Sequence, residues 1–121
     1  MNEKILPILL VGILTIISGI ADSQGFSHAA AMWSDGKLIW SEFAKSAFGF
    51  AIGIVTYWLV VRFLNQLQVN APEIQTLLWF GVTLLAVALI NGTFFGWQRI
   101  DQLVAVLVLF GIGWLLFRTG G

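Results

Sequence analysis

The chain has no cysteine, one histidine, two prolines and one tyrosine. The missing cysteines exclude disulfides, thiolate catalysis and sulfur-ligated metals. The lone His28 has no second histidine at metal-ligand spacing. No phosphate-cradling glycine loop, nucleophile elbow or HExxH pattern occurs. The expectation is therefore a protein with no catalytic residues, no bound metal and no cofactor, and not an enzyme. Charge is the scarcest property: six cations and six anions among 121 residues make 10%, and the net charge is zero. A soluble domain carries about 25% charged residues. A zero balance gives no reason to expect nucleic acid as a partner, or polybasic docking on anionic lipid.

What is present is apolar surface: 59% of residues are hydrophobic and the mean hydropathy is +0.93. Twelve charges cannot cover a globule of this size, whereas lipid can solvate an apolar exterior. The expected fold is an all-α membrane protein: a single domain over 1–121 with the lipid bilayer as its first partner. Four spans with short loops are expected at about 5–21, 46–64, 74–91 and 103–117.

The first run, Ile5 to Ala21, is interrupted only by Pro7, Thr15 and Ser18. At roughly 1.5 Å per residue it reaches about 26 Å, against a hydrocarbon core of about 30 Å. Gly19-Ile20-Ala21 also resembles a small-residue cleavage site, the mark of a secretory leader. Glu3 beside Lys4 and the length of the apolar run argue for a span instead.

Residues 22–45 hold Asp22, Asp35, Lys37, Glu42 and Lys45, interleaved with Phe26, Trp33, Trp40 and Phe43. Leu38, Ile39 and Phe43 can share one helical face while Lys37, Ser41, Glu42 and Lys45 face water. This stretch is expected to be an interfacial amphipathic segment after helix 1, with Ser34-Asp35-Gly36 as a turn. In the second span, Gly49-x-x-x-Gly53 puts two backbone-exposed positions on one face, which permits close helix contact. Pro72 and Glu73 suit the start of the third span by proline position and dipole. The fourth span carries Gly111 and Gly113 as further packing candidates, and Arg118 ends it.

Four spans place Lys4, Arg62 and Arg118 on one side and Lys37, Lys45 and Arg99 on the other. Three against three gives no orientation by the positive-inside rule. Such a balance suits a chain that inserts both ways up, as an antiparallel homodimer requires.

Between the third and fourth spans stands Thr93-Phe94-Phe95-Gly96-Trp97-Gln98-Arg99-Ile100-Asp101. This resembles the third-to-fourth helix turn of the small multidrug resistance family, Phe-Phe-Gly followed by Gln-Arg-x-Asp, with Trp97 as one extra residue. Trp79-Phe80-Gly81-Val82 is similar to that family's Trp-Ser-Gly-Val. Tyr57-Trp58-Leu59 resembles its aromatic-Trp-Leu, and Ser23-Gln24-Gly25-Phe26 its Ser-Glu-Gly-Phe. The resemblance implies a four-helix half-unit of the drug/metabolite transporter superfamily. Its setting would be a bacterial cytoplasmic (inner) membrane, where it pairs as a homodimer or with a second subunit. Gly12 to Ile17 lacks the first-helix glutamate of that family, and the family's third-helix tyrosine falls at Thr76. Without that acid, a small, neutral or lipid-like cargo is expected. A non-transport scaffold or accessory subunit is the alternative.

Thr15, Ser18, Gln75 and Trp79 are the candidate cavity residues, with Asp22 as a coupling candidate. Thr15, Ser18 and Asp22 lie at i, i+3 and i+7 on one face. The simpler expectation is that the hydroxyls bond their own helix and Asp22 ends the span. Trp79 is expected at an interface or in packing, Gln75 near enough to the interface to be solvated, and Asn91 in a helix–helix hydrogen bond. Arg99 and Asp101 are expected as a solvated loop pair, and His28 at the surface.

Overall fold

The computed structural model describes residues 3–119. Its elements are α1 (Ile5–Ala30), a hairpin of β1 (Trp33–Ser34) and β2 (Lys37–Leu38), α2 (Trp40–Gln66) and α3 (Pro72–Asn91). A 3-10 turn (Thr93–Gly96) then leads into α4 (Arg99–Thr119). All four α-helices are long and apolar enough to cross a membrane. The described chain is compatible with an integral membrane protein.

The burial pattern inverts that of a soluble domain. Among the described residues, Val60 and Leu64 are the only buried large apolar side chains, whereas Thr15, Ser18, Asp22, Ser23, Ser46 and Thr83 are all buried. Leu, Ile, Phe and Trp cover the outside. Small and polar residues between helices, with apolar residues around them, are the arrangement lipid favours, because lipid gives no drive to bury leucine.

Helix α1 is the central element. It packs along α2 and, on another face, against α3, while α4 touches α3 and leaves the rest of its surface open. The α1–α2 contact is backbone-close. A Cβ added at Gly49 would lie 2.8 Å from the Gly25 nitrogen and 2.9 Å from the Ala21 carbonyl oxygen. Ser46 Oγ donates to the Gly25 carbonyl at 2.8 Å, and Phe26 meets Phe50 edge-on at 4.9 Å.

These contacts explain why the stretch expected as an interfacial segment, 22–45, is not a separate element. Its first part continues α1 to Ala30, because α2 offers a matching face of glycine, serine and phenylalanine. Its last part begins α2 at Trp40. Only the middle leaves the helices, as a hairpin pairing Trp33 with Leu38 and Ser34 with Lys37. Asp35 and Gly36 both have positive φ, 51° and 75°, as a two-residue turn of the I′ kind requires. His28 is half-buried rather than a plain surface residue, with Nδ1 2.6 Å from Glu42 Oε2 across the α1–α2 end.

Pro72 occupies the first turn of α3 with Glu73 beside it. Gly92, at φ 80°, ends that helix and lets the chain enter the 3-10 turn. Gln102 Nε2 donates to the carbonyls of Phe94 (3.0 Å) and Phe95 (3.3 Å), fastening the turn to α4. Arg99 and Asp101 lie in the first turn of α4, not in a loop. Asn91 bonds Thr93 Oγ1 locally at 3.1 Å, so it bridges no helices.

Candidate functional site: a buried carboxyl between three helices

Asp22 sits in the middle of α1 with 1% of its surface exposed. The helix continues past it to Ala30. Trp79 Nε1 on α3 donates to Asp22 Oδ2 at 2.6 Å. From α2, the backbone of Gly53 comes so close to Asp22 Oδ1 that a Cβ there would overlap it. Ser18, one turn earlier on α1, donates to the Gly53 carbonyl at 2.8 Å. Three helices thus meet at one carboxyl, and glycine at 53 is what lets α2 approach.

The expectation that Thr15 and Ser18 bond their own helix does not hold. The Ser18 hydroxyl crosses to α2, and Thr15 Oγ1 has no partner in the protein. Asp22 Oδ1 and Thr83 Oγ1 are likewise buried without a protein partner. Satisfying such a group normally matters, because a buried polar atom without a hydrogen bond costs roughly 1–3 kcal/mol.

Thr15, Ser18, Gln75 and Trp79 line one cleft, together with Tyr57, Val60 and Leu78. The cleft is too narrow to hold a water molecule. Trp79 is packed on both sides, against Tyr57 from α2 (ring centroids 6.0 Å) and Phe80 (4.8 Å). Thr76, one turn before, bonds the Pro72 carbonyl of its own helix at 2.6 Å. Gln75 donates to the Val69 carbonyl at 3.0 Å and is half-buried, so it is held rather than freely solvated.

Tyr57, in the cleft, and Thr83, buried on α3 outside the cleft lining, are the residues that the sequence did not single out. Thr83 was legible: Gln75, Trp79 and Thr83 recur every four residues, which puts them on one helical face. Tyr57 was not, because nothing local says which face of α2 meets α3. Of the four packing glycines, Gly49 and Gly53 face α1, while Gly111 and Gly113 have open space around them.

No family model, no curated protein and no solved structure matches the chain. The resemblance to the small multidrug resistance family therefore stands on its four short motifs alone.

Proposed function

We propose that the chain is a four-helix half-unit of a small-molecule membrane carrier, working in a bacterial cytoplasmic membrane. It pairs with a second copy, in either relative orientation, or with an unlike subunit. The observation that carries this reading is that buried Asp22 is hydrogen-bonded to Trp79, which lines one cleft with Thr15, Ser18, Tyr57 and Gln75. An acidic side chain inside a span is expensive and marks a functional position by default. Asp22 has no cation beside it among the described residues, so a proton or a passing ligand would offset its charge.

The missing first-helix glutamate thus has a counterpart two turns later, facing the same third-helix tryptophan. The cargo proposed remains a small, neutral or lipid-like molecule, exchanged against a proton on Asp22. The narrow cleft is then one state of the cycle, and opening requires α3 to move away from α1. The long exposed faces of α4 support pairing as such, and favour equally the second reading, an accessory subunit of a larger membrane complex.

The absence of cysteine makes the test clean. Thr15→Cys and Gln75→Cys, each the sole thiol, are treated in membrane vesicles with a water-soluble maleimide. A carrier exposes at least one of them from the aqueous phase. If neither reacts while a loop control such as Asp35→Cys does, the cleft stays sealed. The carrier reading then fails and the accessory-subunit reading is left.

A further inference from the structure

A second concavity lies between α3 and α4 and shares no residue with the cleft lined by Thr15 and Trp79. Its volume is about 360 Å³, and its walls are apolar apart from Thr93. Ala88 on α3 and Ala105 on α4 help to keep it open. At the end nearest the 3-10 turn it shares Phe94, Trp97 and Val106 with a more polar mouth that includes Arg99.

Arg99 differs from the other two arginines. Arg62 lies over the Phe63 ring and Arg118 over the Trp114 ring, whereas Arg99 has no ion-pair, hydrogen-bond or ring partner among the described residues. Asp101 is only two positions away, but residues at i and i+2 do not face each other on a helix. A guanidinium offers forked donors that fit a phosphate with two parallel hydrogen bonds. Trp97, half-exposed beside it, has the amphipathic ring that sits at the headgroup level.

We propose that the α3–α4 groove is a binding site for one anionic phospholipid, its phosphate on Arg99 and an acyl chain between Ala88 and Ala105. The charge at the mouth chooses this occupant. A second copy of α4 laid antiparallel would fill the apolar part but bring Arg118, not an anion, to the Arg99 end. Basic pockets between spanning helices hold anionic headgroups for the same reason. The site depends on membrane insertion but not on the carrier reading, since the groove is separate from Asp22.

The test is mass measurement of the intact protein in mild detergent with added phosphatidylglycerol. The wild-type chain is expected to keep one lipid, Arg99→Gln to lose occupancy about tenfold, and Arg99→Lys to keep part of it. Ala105→Trp, which fills the groove, is expected to lose the lipid with Arg99 intact. Diacylglycerol, which lacks the phosphate, is expected to bind wild type and Arg99→Gln alike. The proposal is overturned if Arg99→Gln binds as wild type does, or if inorganic phosphate displaces the lipid. It is equally overturned if Ala105→Trp changes only self-association, which would give the groove to a second copy. A carbonate wash of native membranes, read separately, would strip the chain only if the membrane reading itself were wrong.

Discussion

Trp79 and Asp22, 57 positions apart, are joined by a 2.6 Å hydrogen bond that ties α3 to α1 at a fully buried carboxyl. Asp22 Oδ1 lacks a hydrogen-bond partner in the protein, so the indole bond carries most of what holds the carboxyl. Trp79→Phe keeps the ring packing against Tyr57 and Phe80 but orphans the second oxygen. A loss of roughly 2 kcal/mol is expected, by the cost of leaving a buried acceptor unpaired. Asp22→Asn keeps an acceptor for the indole and should fold nearly as well as wild type, while losing any proton-linked transport. Thermal unfolding in detergent ranks the two variants. Equal destabilisation would mean that the hydrogen bond is not what holds α3 in place.

The glycines separate into two kinds that one measurement distinguishes. Ala at Gly53 meets the Asp22 carboxyl, and Ala at Gly49 meets α1 backbone, which cannot swing aside. Each is expected to cost roughly 1–3 kcal/mol, the range for overpacking. Gly111→Ala and Gly113→Ala enter open space. They should be neutral, or stabilising by up to about 1 kcal/mol through helix propensity. If Gly111→Ala instead breaks a dimer, that face of α4 is an interface between chains.

How far the fold could be read depended on which signal each part carries. Hydropathy alone located the four helices, and Pro72 and Asp35-Gly36 marked a start and a turn through fixed backbone preferences. The end of α1 was misplaced at Ala21. An apolar run ends where polarity begins, but a helix ends where its hydrogen bonding ends. Asp22 and Gly25 remain helical because α2 packs against them, a tertiary fact with no local trace. The same blindness hid the site. Asp22 looked like a terminal anion until Gly53 and Trp79, from two other helices, enclosed it. Asp22 was readable as a candidate on the face of Thr15 and Ser18; its enclosure by Gly53 and Trp79 was not.

His28 and Glu42 close the end of the α1–α2 pair beside the hairpin, with Lys45 Nζ 3.8 Å from the other Glu42 oxygen. Removing the imidazole in His28→Ala leaves Glu42 with Lys45 alone and frees the last turn of α1. The expected effect is local: faster amide exchange from Ala29 to Leu38, with α3 and α4 unchanged. His28→Gln, which can still donate to the carboxylate, should restore most of the protection. Exchange that rises throughout α1 would assign the pair a global role instead.

Thr15, which lines the cleft, and Thr83, buried outside its lining, test whether unsatisfied polarity is kept for use. Each has a buried hydroxyl with no protein partner. Valine matches threonine in shape, so Thr15→Val and Thr83→Val exchange an orphan hydroxyl for a methyl. Both should raise thermal stability by about 1 kcal/mol, since an unpaired buried hydroxyl opposes folding. A carrier that needs those groups for its cargo should transport less as it becomes more stable, the trade-off common to functional sites. Stability is read by unfolding in detergent and function by uptake into vesicles. Stabilisation without loss of uptake would remove both hydroxyls from the site. Destabilisation would show instead that they find partners in the folded protein and belong to its packing.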